Sequence, residues 1–122
     1  MRPLVHPAID DVTVEGILYA LSDPVRVQIF ADIAQAKCSQ PCSNFLEIAD
    51  ASVPKSTLSQ HFKVLRESGL IKSERRGVEL QNVSRCEEIN SRFPGLIPSI
   101  ILAHKVQSDD GKAAKRKKRS AA

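Results

Sequence analysis

The stretch from Ser52 to Gly77, SVPKSTLSQHFKVLRESGLIKSERRG, most constrains how this chain can fold. On a helical wheel, Phe62 and Leu65 lie within about 40° of Leu58. Polar residues gather on the opposite side of the wheel: Ser56, Gln60, Lys63 and Glu67. Because Gly69 stands where a left-handed helix cap is expected, the pattern predicts an amphipathic helix over Lys55–Ser68 with one packed face and one exposed face.

A strand signal follows this cap directly and runs from Leu70 to Arg75. Gly77 supplies a turn, after which residues 78–84 return with apolar and polar side chains roughly alternating. The sequence therefore predicts a two-stranded hairpin, the wing, tipped by Arg75, Arg76 and Gly77. Each feature alone is also typical of an ordinary surface helix or a solvated turn. Their direct succession favours a helix and a wing that contact one partner.

The chemistry of the exposed face suits DNA. It offers hydroxyls, an amide and cations, which match base edges and phosphates. No acidic residue interrupts the run from Lys55 to Arg66. The predicted DNA-contact residues are Lys55, Ser56, Thr57, Ser59, Gln60, Lys63, Arg75 and Arg76.

Two blocks of sequence resemble the ArsR/SmtB family of bacterial winged-helix repressors. They are LSDPVRVQIF at residues 21–30 and STLSQHFKVLRESGLI at residues 56–71, and the similarity extends over roughly residues 12–104. The resemblance implies a homodimer that binds an inverted-repeat operator in double-stranded DNA and releases it when an effector binds. Val78 and Glu79 follow Gly77 where the family usually has an arginine. This departure predicts weaker contact between the wing and phosphate.

Length and composition indicate one small domain. The chain has 122 residues, is 42% hydrophobic, and contains four Phe, one Tyr and no Trp, so its core must be aliphatic. We predict a mobile leader over residues 1–10, a winged-helix domain over 11–106 and a disordered basic tail over 107–122. No run approaches the roughly 18 apolar residues of a membrane helix, and no signal-peptide pattern is present. A cytoplasmic protein with no membrane partner is expected.

Charge is distributed unevenly along the chain. Residues 112–119 hold six of the 18 Lys and Arg, so residues 1–111 hold 12 bases against all 14 acids, a net charge of −2. Within that body, residues 55–85 carry seven bases against three acids, a net charge of +4. Positive charge is thus concentrated on the predicted DNA-contact segment. The tail is interpreted either as an arm that binds any DNA or as a solubilising end.

The predicted fold class is mostly α with a small β-hairpin, a winged helix-turn-helix. Helices are predicted at Asp11–Leu21, Asp23–Ala34, Asn44–Asp50, Lys55–Ser68, Arg85–Arg92 and Leu96–Lys105. Ser22 and Asp23 are cap candidates for the second of these helices. The third helix, a turn over residues 51–53 and the fourth helix would form the helix-turn-helix.

The first and last helices carry more apolar residues than a small monomer can cover, which predicts a homodimer interface. The predicted interface residues are Ile17, Leu18, Leu21, Ile97, Ile100 and Ile101. The alternative is that both helices complete the core of a monomer. A competing function is a protein-interaction module in which the last helix recruits a partner and DNA contact is incidental.

Three cysteines, Cys38, Cys42 and Cys86, are the candidate effector site. The first two lie in a polar connection, so core filling does not explain them, and a cytosolic chain has no use for a structural disulfide. They could bind a thiophilic metal or metalloid ion, form a reversible disulfide, or have no role. No other cofactor is indicated.

The histidines give weaker signals, and enzymatic motifs are missing. His61 is expected to be structural or to reach a phosphate, His104 could join a site on the last helix, and His6 falls in the leader. The sequence has no glycine-rich phosphate loop and no nucleophile in a recognisable motif, which argues against an enzyme.

Overall fold

The computed structural model describes Leu4 and residues 6–35, 40–41, 47–48 and 51–120. In these ranges the helices are α1 (Val14–Ala20), α2 (Pro24–Gln35), α3 (Lys55–Glu67), α4 (Cys86–Arg92) and α5 (Leu96–Ser120). The strands are β1 (Gln40–Pro41), β2 (Glu47–Ile48), β3 (Ala51–Ser52), β4 (Ile71–Arg76) and β5 (Glu79–Ser84). A single 3-10 turn, Ile9–Asp11, precedes α1. The predicted mostly α fold with a small hairpin is confirmed.

The helix starts follow from short polar side chains. Thr13 accepts a hydrogen bond from the Gly16 amide at 3.0 Å and caps α1, which therefore begins later than predicted. Asp23 Oδ1 accepts from the amides of Val25 at 2.8 Å and Arg26 at 3.3 Å. These bonds satisfy donors that a helix leaves unpaired in its first turn, so the cap predicted at Asp23 is confirmed.

The wing is the antiparallel pair β4–β5, in register from Ile71 opposite Ser84 to Arg76 opposite Glu79. Gly77 occupies the turn with a φ of 62°, a region that glycine adopts without a steric penalty. β1 adds a third strand to the outer side of β5, with Gln40 opposite Asn82 and Pro41 opposite Gln81.

The core is largely aliphatic and lies between α2, α3, the base of the wing and the start of α5. The predicted packed face of α3 is confirmed, since Leu58, Phe62 and Leu65 are all buried. The largest fully buried side chains around them are Phe30, Ile17, Ile29, Leu70, Ile71 and Ile89. One face of the predicted DNA-contact helix is therefore fixed by the core.

The helix predicted over Asn44–Asp50 is wrong where the structure describes it. Residues 44–46 and 49–50 lie outside the described residues, but Glu47 and Ile48 form β2, which pairs with β3 in the predicted turn. Branching at Cβ makes Ile48 more favourable in a strand than in a helix.

Near both of its ends, the described part of the chain forms helix or hydrogen bonds in segments for which a mobile leader and a disordered tail are predicted. α5 extends beyond the predicted end at Lys105 and reaches Ser120, through a segment rich in the good helix formers Ala, Lys and Arg. Residues 6–12 pack against the wing and α4 through hydrogen bonds to His6, Pro7 and Ile9. The domain limits themselves stay a prediction.

None of the helices in the described part of the chain combines the length and the apolar character that a membrane span requires.

Candidate nucleic-acid interface

The exposed face of α3 carries the polar residues that the sequence predicts to contact DNA. The exposed residues of this set are Lys55, Ser56, Thr57, Ser59, Gln60 and Lys63. They occupy the first two and a half turns of α3, whose first turn contains no acidic side chain. A helix face of this kind presents donors and acceptors that suit base edges in a major groove, flanked by cations that suit phosphates.

Arg26, in the first sequence block, connects the α1–α2 corner to α3. Its Nε donates to the carbonyl of Ala20 at 2.7 Å, and its Nη1 donates to Nδ1 of His61 at 3.4 Å. His61 is buried against the core side of α3. A guanidinium can bond several acceptors in one fixed plane, so Arg26 ties the α1–α2 corner to His61 of α3. His61 is therefore structural, as one of its two interpretations predicted.

The C-terminal end of α3 is closed by Gly69. Its φ is 89°, and the Leu70 amide donates back to the Leu65 carbonyl at 3.0 Å. This is the left-handed cap that the sequence predicts. A side chain at position 69 would collide with Cγ2 of Val12. The end of α3 therefore depends both on the backbone freedom of glycine and on its lack of a side chain.

The wing tip places the two predicted arginines in solvent. Both stand at the end of β4, the strand that follows α3 in the chain. Arg75 and Arg76 are both exposed, and Arg76 pairs with Glu74 at 3.7 Å. A pair this exposed contributes little in water, and a phosphate would compete with Glu74 for Arg76. Val78 next to them is fully exposed, so the tip offers an apolar side chain beside its two arginines.

A buried polar cluster at the base of the wing joins the wing to α3. The Ser73 hydroxyl donates to Oδ1 of Asn82 at 2.7 Å across the two strands, and both side chains are buried. Nδ2 of Asn82 donates to the Leu80 carbonyl at 3.2 Å. Arg66 of α3 reaches the Ser73 hydroxyl at 3.5 Å. The wing and α3 thus share hydrogen bonds as well as core contacts, which fixes their relative orientation.

The predicted dimer residues divide into two groups. Ile17, Leu21 and Ile97 are buried in the core of the single chain, and Ile100 and Ile101 pack partly against it. Leu18 remains 50% exposed. Other large apolar side chains on the same two helices are also exposed: Tyr19 at 65%, Leu102 at 63% and Val106 at 53%. Three predicted interface residues, Ile17, Leu21 and Ile97, are therefore not available on the surface of the single chain. Three residues outside the prediction, Tyr19, Leu102 and Val106, are available there.

The structure does not bring the three cysteines together in the residues that it describes. Cys38 and Cys42 lie outside the described residues. Cys86 opens α4 and is half-buried, and this burial raises the pKa of its thiol. No group of three or more His, Cys, Asp and Glu side chains with metal-binding geometry occurs in the described ranges. A raised pKa disfavours the thiolate, the form that binds metals.

Sequence reasoning missed the contacts made by residues 6–12, because it placed His6 in a mobile leader. His6 accepts a hydrogen bond from the Ser73 amide at 3.0 Å. His104 on α5 lies 3.5 Å from the Ser108 hydroxyl. Nothing in the local sequence around His6 indicates a partner 67 residues away. Its neighbour Pro7 and the restricted backbone that proline imposes are the one weak signal of order there.

Comparisons with known proteins agree with this geometry. A family model described as a helix-turn-helix domain matches residues 21–74, from the first sequence block to the first strand of the wing. HTH-type transcriptional repressors SmtB from two strains of Mycobacterium tuberculosis are each 40% identical to the chain over 65 residues. The match covers 52% of the chain and 44% of the relative, so the chain spans less than half the length of these relatives.

A solved structure supports the fold over most of the chain. The ArsR-like transcriptional regulator from Rhodococcus sp. RHA1 superimposes with a TM-score of 0.52 and 21% sequence identity. The alignment covers 84% of this chain and 89% of that one. The winged helix-turn-helix prediction is confirmed at the level of the fold.

Proposed function

We propose that this winged helix-turn-helix chain, which is of the ArsR/SmtB type, is a DNA-binding transcriptional repressor and not an enzyme. The observation that carries the proposal is the exposed polar face of α3 beside a wing with an arginine tip, both fixed to one core. Net positive charge over residues 55–85 in a body of net negative charge supports the same surface.

In this proposal the residues of α3 divide by chemistry. Ser56, Ser59 and Gln60 contact base edges, because hydroxyls and amides can both donate and accept there. Lys55 and Lys63 hold phosphates on either side of the groove, with Arg75 and Arg76 at the wing. Thr57 is exposed at the start of the same face and contacts the backbone or a base.

We further propose that two copies of the chain bind an inverted-repeat operator. Leu18 and Tyr19 on α1 and Leu102 and Val106 on α5 would lie in the contact between the copies. Their exposure supports this, because burying large apolar side chains against a second copy removes them from water. A dimer with two-fold symmetry presents two α3 helices to successive major grooves, which is why its operator should be an inverted repeat.

The effector is proposed to act through Cys38 and Cys42. Gln40 and Pro41, which lie between them, pair with β5 of the wing. A thiophilic metal or metalloid ion, or a reversible disulfide, would therefore change the chain beside a DNA-contact element. Cys86 lies two residues after the end of β5 and is the third candidate ligand. The basic end of α5, residues 112–119, is proposed to bind phosphates without contacting bases.

The test is to incubate the full chain with fragments of its own genomic DNA, recover the retained fragments and sequence them. The proposal predicts a shared inverted repeat whose half-sites are about 10 base pairs apart, or a multiple of that spacing. Retention of all fragments alike, with no shared sequence, would contradict it. That result would favour a protein-interaction module whose DNA contact is incidental.

A further inference from the structure

Residues 6–12, here called the N-terminal strap, are held to the wing and α4 by four hydrogen bonds. The Ser73 amide donates to Nε2 of His6 at 3.0 Å, and Nη1 of Arg85 donates to the Pro7 carbonyl at 2.8 Å. Arg92 donates to the carbonyls of Ile9 and Val12. All four bonds join residues far apart in sequence, so the strap ties residues 6–12 to the base of the wing and to α4.

The strap contacts the junction of α3 and the wing at two points. Val12 is buried and lies directly over Gly69, the cap of α3. His6 bonds the backbone of Ser73, the residue whose hydroxyl meets Asn82 of β5 and Arg66 of α3. The strap therefore contacts both the cap of α3, at Gly69, and the wing residue that hydrogen-bonds to α3, Ser73.

The hydrogen bond at His6 needs a ring nitrogen without a proton. The neutral imidazole can accept at Nε2, whereas the protonated ring has donors alone and would face the Ser73 amide donor to donor. Three cations face His6 from the elements packed against it: Arg66 of α3, Lys72 of β4 and Arg85 before α4. Glu88 is engaged with Arg85 at 2.8 Å. Burial and then these cations lower the pKa of His6 below 6.5.

We propose that the His6 end of the strap holds Ser73 of the wing only while His6 is neutral, and that DNA binding through the wing weakens when His6 takes up a proton. His6 is then a positioning residue, since it orients the wing and does not itself contact DNA. The DNA part of this inference rests on the proposed function, whereas the state of the strap does not.

The direction of the pH dependence follows from the lowered pKa. A released strap has the pKa of His6 at its ordinary value of 6.5, and the docked strap binds the proton less well. The contribution of His6 to docking is therefore fully present above a pH of about 6.5 and is lost progressively as the pH falls through that value towards the docked pKa. This is the reverse of a histidine that is stabilised by a carboxylate.

The strap is tested without DNA by NMR on the full chain. The His6 ring should titrate below the ordinary histidine value of 6.5. The protection factor of the Ser73 amide against hydrogen exchange should fall between about pH 7.5 and pH 5.5, on either side of the ordinary histidine pKa. His6→Gln keeps an acceptor that does not titrate in this range, so its Ser73 protection should be independent of pH. His6→Ala should leave Ser73 unprotected at both values, and His104→Gln should behave as the wild type.

The same variants are then compared for binding to a DNA duplex at the two pH values. Wild-type affinity should fall by a factor of about 5 more than that of His6→Gln, which is what one ordinary hydrogen bond is worth. If the protection of the Ser73 amide in the wild type does not depend on pH, or if its loss at low pH persists in His6→Gln, the proposed role of His6 in the strap is overturned. Equal pH responses of wild type and His6→Gln in DNA affinity would overturn its link to the wing. Failure of every variant to bind DNA, with Ser73 still following His6, would instead refute the proposed function.

Discussion

Replacing Gly69 by alanine tests how the cap of α3 is built. The residue has a φ of 89°, where a side chain costs about 1–2 kcal/mol from clash with the backbone. The new methyl would also collide with Cγ2 of Val12 and contact Cγ of Pro7 at 3.5 Å. Pushing Val12 out of a packed core costs about 1–3 kcal/mol more. The expected loss in the free energy of unfolding is therefore about 2–5 kcal/mol in all.

Gly95 is the matched control, because it has a similar φ of 82° and nothing lies within 4 Å of the position that an added Cβ would occupy. Gly95→Ala should cost only the backbone part, about 1–2 kcal/mol. Adding Val12→Ala to Gly69→Ala should relieve the collision, so the double variant should lose less than the sum of the two single losses. The free energies of unfolding are measured by urea unfolding of the full chains, followed by circular dichroism. The four variants are Gly69→Ala, Val12→Ala, the double variant and Gly95→Ala. Equal losses for Gly69→Ala and Gly95→Ala would refute the packing of Val12 on the cap.

Three further predictions concern the dimer, the thiols and the basic end of α5. Leu102→Asp should shift the chain towards monomer in sedimentation, whereas Val78→Asp at the wing tip should not, and a Leu102→Asp dimer at low concentration would contradict the interface. Arsenite, a soft metal or a mild oxidant should release DNA from the wild type but not from Cys42→Ser, and indifference of the wild type to all three would remove the thiols from the mechanism. Truncation after Gly111 should weaken selected and random DNA by similar factors and reduce the salt slope by about 0.9 for each phosphate that the basic end neutralises, so an unchanged slope would show that this end does not bind DNA.

The parts of the fold that short-range signals determine could be predicted from the sequence. Asp23 caps α2 because its carboxylate reaches amides two and three residues ahead. The faces of α3 follow from the period of the helix, and the wing follows from the glycine turn between two alternating runs. The exposed polar face of the candidate site was therefore predictable along with the fold.

Contacts between distant residues could not be predicted in the same way. The strap is held by Arg85 and Arg92, which are 78 and 83 residues from the carbonyls that they bind at Pro7 and Ile9. No local sequence pattern predicts such a pairing. The residues around Pro7 are therefore predicted to form a mobile leader. For a similar reason, the sequence could not predict which apolar residues of the first and last helices are buried in the single chain and which stay exposed. Apolar content predicts that a face is covered, but which side chains the chain covers itself depends on the packing of the whole core.

The central claim is that the exposed face of α3 recognises a DNA sequence, and the affinity of Gln60→Ala tests it most directly. Wild type, Gln60→Ala and Gln107→Ala are titrated into the best retained genomic duplex and a random duplex at one salt concentration. Gln107 is an exposed glutamine on α5 and serves as the control for the substitution itself. We predict that Gln60→Ala loses about 1–3 kcal/mol on the genomic duplex and little on the random one, with Gln107→Ala unchanged. Equal losses of Gln60→Ala on both duplexes, or no loss on either, would contradict the claim.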